Sequence, residues 1–98
     1  MNNNVLSKQE MNSLLSKVLG RKSEDKSDFM PTQDTGDCVL LLNDLVKRGL
    51  FINIASDGKN WNTAIMSQHD RRVIGLGVSE DFCMSVCISV IDSKIGEV

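Results

Sequence analysis

At Gly49 the spacing of apolar residues changes from one every 3.6 positions to one every two. Before it, Cys38, Leu41, Leu42 and Leu45 mark one side of a helix, with Val46 at its edge. After it, Leu50, Ile52 and Ile54 alternate with Phe51, Asn53 and Ala55, as in a strand with one apolar face. A chain of 98 residues that switches period so sharply must pack helix on sheet around one core. Its size sets a second limit. Chains near this length bury only about 60–70% of their unfolded surface, so the core is thin and association is a common supplement.

The signals on either side of this switch supply the remaining elements. Ser7 and Glu10 have the spacing of a capping box, and Leu6 and Met11 that of a hydrophobic staple. Met11, Leu14, Leu15 and Val18 then give a first helix a single apolar stripe, and Gly20 stops it. Arg21 to Asp28 is polar throughout and reads as a flexible linker. Pro31-Thr32-Gln33-Asp34 opens the second helix, with Thr32 or Asp34 as its cap. Asp37 suits the positive end of that helix, and Lys47 and Arg48 the negative end.

Asp57-Gly58-Lys59-Asn60 is turn chemistry, and Trp61 to Ser67 beyond it completes a hairpin. A turn at Gln68-His69-Asp70-Arg71 leads to a third strand over Arg72 to Val78, loosened by Gly75 and Gly77. Ser79 caps the last helix, whose stripe is Phe82, Cys83, Val86, Cys87, Val90 and Ile91, and Gly96 closes it. The expected fold is α+β: an N-terminal helix, then α-β-β-β-α with a three-stranded antiparallel meander packed against helices. Residues 1–20 are expected to form an amphipathic arm, 21–30 a linker and 31–98 the domain. Phe51, Ala55, Ala64 and Met66 put apolar side chains on the second sheet face, so the first helix or another subunit should cover part of it.

No set of residues in the sequence carries recognisable chemistry. There is one histidine, and no phosphate loop or CxxC motif is present. His69 and Asp70 are neighbours in a turn, where adjacent side chains seldom converge on a substrate, so the segment reads as a solvated turn, with His69, Arg71 and Arg72 as the alternative of a partner-binding tip. Gly75-Leu76-Gly77 lacks the third glycine and the lysine of a phosphate loop. Cys83 and Cys87 lie four apart but are too few to hold a metal, so all three cysteines are expected to be buried thiols in a reducing compartment. No catalytic residue, metal or cofactor is expected.

Charge narrows the partners. Up to Met30 there are five basic residues against four acidic, and from Pro31 onward six against nine. Nucleic-acid binding relies on a basic surface that displaces phosphate counterions, which the acidic body lacks. The order α-β-β-β-α is also that of a double-stranded-RNA-binding domain, but Glu80 and Asp81 stand where that module places lysines. Nucleic acid is therefore an unlikely partner. The longest apolar run, Val39 to Leu42, is far short of a membrane span, and Met1-Asn2-Asn3-Asn4 starts no secretion signal. A cytoplasmic location is expected.

Several of these residues also form a pattern. Pro31-Thr32-Gln33-Asp34, Trp61, Cys87 and the terminal Ser93-Lys94-Ile95-Gly96-Glu97-Val98 resemble the phage ABA sandwich domain and the related NinX-like small phage proteins. Those proteins pair a Pro-Ser/Thr-x-Asp helix start with a Trp-bearing hairpin and a Cys-bearing last helix. The resemblance spans about Pro31 to Val98 and leaves the first helix unexplained. It implies helix/sheet/helix layering and a phage or prophage origin, and it brings no catalytic residue. The chain departs from the pattern at Ile88, where those proteins have Arg, and at Ser79-Glu80, where they often have Thr-Pro.

The expectation is a non-catalytic protein-interaction module that modulates a bacterial host protein, with a defence system as one candidate target, and that forms homo-oligomers. Trp61, the only tryptophan, is a candidate anchor, and Met11, Leu14, Leu15 and Val18 offer a docking stripe in cis or on another chain. Asp37, Asp44 and Asp92 are candidates for an acidic surface that occupies a basic groove. The alternative is an oligomeric binder of a small nucleotide-like ligand.

Overall fold

A computed structural model of the chain describes residues 7–18 and 30–94. The elements run α1 (Lys8–Val18), α2 (Thr35–Lys47), β1 (Phe51–Ser56), β2 (Trp61–Met66), β3 (Val73–Ser79) and α3 (Phe82–Ser93). The strands form one antiparallel sheet in the order β1-β2-β3, so the α+β meander read from the sequence is the fold observed. The staple at Leu6, the stop at Gly20, most of the linker at 21–30 and the closure at Gly96 lie outside the described residues.

Local chemistry sets the helix starts. Glu10 N–H donates to Ser7 Oγ at 3.1 Å while Ser7 N–H donates to Glu10 Oε1 at 2.9 Å, a closed capping box. Asp34 caps α2 by accepting the Asp37 N–H at 3.1 Å. Thr32, the other candidate, is buried and used elsewhere. The cap of α3 is Asp81, which accepts the Met84 N–H at 2.9 Å, not Ser79. Ser79 ends β3 instead, and its hydroxyl accepts the Asp81 N–H at 3.1 Å. A strand that runs one residue further than its last apolar position displaces the cap by two.

Register then sorts the sheet into two faces. Ile52 pairs with Ile65, Ile54 with Thr63, Thr63 with Gly77 and Ile65 with Gly75, which puts these residues on one inner face. Met66 pairs with Val73 across a bulge, and the extra residue, Ile74, packs against the core.

Helix α3 lies directly on this inner face, and the two glycines are the reason it can. A Cβ on Gly77 would stand 2.1 Å from the Ser85 carbonyl oxygen, and one on Gly75 2.3 Å from that of Ser89. The helix backbone therefore occupies the space that side chains would need. Ser85 and Ser89, both buried, are the matching small residues on the helix. The Ser85 hydroxyl donates to the Gly77 carbonyl at 3.0 Å and lies 2.7 Å from Thr63 Oγ1. Its single proton goes to Gly77, so Thr63 is the donor of the second bond. Each side-chain hydroxyl of this seam is paired, the Ser89 one donating to the Val86 carbonyl at 2.6 Å, as burial requires.

The opposite side of α3 carries Cys83, Val86, Cys87 and Val90, which form one cluster with Cys38, Leu41 and Leu45 of α2 and Met11 and Leu15 of α1. Helix α3 is thus a middle layer between the sheet and the other two helices, and α2 also reaches β1. Fully burying a leucine or isoleucine side chain contributes roughly 1.5–3 kcal/mol, and Leu15, Leu41, Leu45 and Ile65 are all completely buried.

Two expectations meet the structure here. The first helix, expected as an arm that docks in cis or on another chain, is built into its own chain's core. Leu15 is fully enclosed, and Asn12 Oδ1 accepts from both the N–H and the hydroxyl of Thr32 at 3.2 and 3.0 Å. Arg48, held by Asp44 at 2.8 Å, donates to the Val18 carbonyl and so ties α2 to the end of α1. The layering implied by the family resemblance differs. All three helices stand on one side of the sheet, and no helix among the described residues covers the other.

Candidate interaction surface

That uncovered side is where the large apolar residues of β3 point. Val73, Leu76 and Val78 are exposed, Leu76 to 57% and Val78 to 54%. Leu76 sits opposite Ala64 and Val78 opposite Asn62, while Phe51 lies opposite Met66 on the same face. The result is a three-strand apolar surface with only Asn53 and Asn62 as polar interruptions. Strands with one solvated face normally turn their polar residues outward. Here β3 does the reverse, because its inward positions are reserved for glycine. An exposed contiguous apolar surface on a small protein marks a place where something docks.

The basic turn forms the rim at one end. Arg71 adopts a left-handed backbone (φ 59°) and places its guanidinium 4.5 Å from the centroid of Phe51. Ser67 N–H donates to the Arg72 carbonyl at 2.9 Å, and Arg72 N–H donates to Asp70 Oδ1 at 3.1 Å, which holds the Asp70 carboxyl below the usual carboxylate range. His69 is exposed in the same turn. At the other end, the Asp57 carboxylate accepts from the Asn60 and Lys59 N–H groups at 2.8 and 2.9 Å, and its pKa is likewise lowered.

The other candidates are taken up by the fold. Trp61 lies on the inner-face side of β2 and meets Phe82 edge to face, with ring centroids 5.4 Å apart and planes at 81°. It packs at the start of α3, on the side of the sheet opposite the open face, and stays partly exposed there. Met11 and Leu15 are buried, and Leu14 and Val18 are half-buried. Asp37 accepts the Met30 N–H at 2.8 Å, Asp44 pairs with Arg48, and Asp92 accepts the Leu76 N–H at 3.0 Å. Each of the three acids closes a contact within its own chain.

The cysteines belong to the core. Burial pushes the Cys38 thiol up to about 12, reinforced by the neighbouring Cys83, and burial raises Cys87 as well. At neutral pH both are protonated, hence poor nucleophiles. Among the described residues no group of three His, Cys, Asp or Glu side chains could hold a metal ion, and no helix is long and apolar enough to cross a membrane. The Gly75-Leu76-Gly77 segment has helix carbonyls against both glycines, which leaves no room for a phosphate on that side.

Sequence reasoning found Phe51, Ala64 and Met66 but passed over Val73, Leu76 and Val78. The signal was present as a Gly-Leu-Gly-Val alternation, in which the side lacking side chains is the side that must meet another backbone. Compared with known protein families, curated proteins and solved structures, the chain matches none.

Proposed function

We propose that the protein is a non-catalytic protein-interaction module whose binding surface is the outer face of its sheet. In this reading it is a small phage or prophage accessory protein, acts in the bacterial cytoplasm on a host protein, and self-associates. The observation that supports it is the apolar surface of exposed Phe51, Val73, Leu76 and Val78 with half-buried Met66, bordered by Arg71. Aromatic, methionine and arginine side chains are the types that dominate protein interfaces, and one arginine already stacks on the aromatic ring. A nucleotide-like ligand would need polar and charged groups converging on it, whereas the open surface is apolar.

The test is affinity capture from a bacterial lysate with the wild-type chain and the double variant Leu76→Lys/Val78→Lys, each checked by circular dichroism. A host polypeptide held stoichiometrically by the wild type and lost by the variant is the expected result. Equal retention by both would overturn the surface. Reversal of Asp37, Asp44 or Asp92 is a poorer test, because each would break a folding contact along with any electrostatic one.

A further inference from the structure

The two edges of the sheet are finished differently. On β3, the Leu76 N–H points away from β2 and is taken by Asp92 of α3. On β1, the Asp57 N–H donates to the Asn60 carbonyl at 3.2 Å, which marks that pair as hydrogen-bonded. The antiparallel alternation then aims the backbone groups of Asn53 and Ala55 at β2 and those of Ile52 and Ile54 outward. Among the described residues nothing accepts or donates to these outward groups. The strand itself, Phe-Ile-Asn-Ile-Ala-Ser, contains no charge and no proline, the devices that normally keep an edge from pairing.

We propose that β1 pairs antiparallel with β1 of a second copy about a twofold axis at Asn53, joining two three-stranded sheets into one of six strands. The strand is complementary to itself in this register. Ile52 stands opposite the other copy's Ile54 and the reverse, so four outward N–H and C=O pairs close at once. On the outer face the large Phe51 meets the small Ala55, and on the inner face the half-buried Ile52 and Ile54 gain cover from each other. A twofold axis brings each central residue against its own copy, so any charge there would repel itself. Strand β1 has none.

A second observation points to the same edge. Helix α2, which packs against β1, leaves Val39 and Val46 exposed, seven residues apart on one face. Strand pairing at β1 would place the two α2 helices, each with these exposed valines, on the same face of the joined sheet. This inference deepens the interaction-module reading by naming a second copy as one partner, but it uses the strand edge and leaves the outer face open. The enlarged outer face would offer any host protein a six-strand surface.

The test is sedimentation equilibrium on the purified full chain at about 100 µM, with circular dichroism on every variant. Asn53 is exposed at the proposed axis, so Asn53→Lys and Asn53→Glu should each keep the fold and weaken dimerisation at least tenfold. An equimolar mixture of the two should restore the dimer, because Lys then faces Glu. A wild type that remains at 10.8 kDa would overturn the proposal, as would a mixture that stays monomeric. A dimer abolished by Leu76→Lys/Val78→Lys and untouched by either Asn53 variant would seat the second copy on the sheet face and equally overturn it. Because no lysate enters this experiment, its outcome is independent of whether a host protein is captured.

Discussion

On strand β3 the glycines face helix α3 and the larger residues face outward, so the two sides of one sheet follow opposite rules. The inner side is a seam of small groups: Gly75 and Gly77 meet the backbone at Ser85 and Ser89, with Thr63 and Ser85 joined by a 2.7 Å hydrogen bond. The outer side carries Leu76 and Val78, more than half exposed, with no helix over them among the described residues. Close backbone approach fixes the inner side completely, since one methyl group has nowhere to go. The outer side has no such constraint from folding and is free to serve binding. Residues a single position apart on β3 therefore answer to different pressures.

The strongest way to break this comparison is Gly77→Val. Overpacking a core typically costs about 1–3 kcal/mol, and a β-branched side chain forced against fixed helix backbone should exceed that, leaving no cooperative unfolding transition in urea. A stable, cooperative Gly77→Val protein would show that α3 does not sit on β3 as described. The neighbouring test asks whether the inner stack extends as far as α1. Leu15→Ala should destabilise the whole domain by about 2–5 kcal/mol in denaturant titration, the cost of emptying a fully buried leucine site. A loss below about 0.5 kcal/mol would return α1 to the status of an arm.

A smaller effect is expected at the polar link between α1 and the start of α2. Asn12→Ala leaves the N–H and hydroxyl of Thr32 without their acceptor, and should cost about 1–3 kcal/mol in thermal unfolding. If Thr32→Val added to it restores part of the loss by removing the orphaned hydroxyl, the hydrogen bond is the cause. The smallest effect belongs to the outer face. Leu76→Lys/Val78→Lys should shift stability by no more than about 0.5 kcal/mol per site while abolishing partner capture. A large loss of stability there would mean that the outer face is also part of the fold.

Much of the architecture was legible along the chain. The capping box at Ser7 and Glu10, the cap at Asp34, the turn at Asp57 to Asn60 and the change of period after Gly49 are local features, and each appears where local rules place it. The readings that changed concern polar or small residues whose partners are distant in sequence. Asn12 has the pattern of a solvated helix side, yet its carbonyl meets Thr32 twenty residues on. Ser85 and Ser89 lie off the apolar stripe of α3, yet they face the sheet. A small or polar side chain is equally compatible with water and with a close-packed partner, so its own identity cannot decide between them.

The order of elements, the starts of α1 and α2 and the inner apolar face of β1 were determined by the sequence itself, because caps, turns and periodicity act within a few residues of one another. Tertiary structure alone decided that α3 is a middle layer, that α1 belongs to the core, and that Phe51, Leu76 and Val78 remain on an open face. Those outcomes depend on which surfaces meet once the chain has closed, and the close fit of Gly75 and Gly77 against the α3 backbone fixes that meeting.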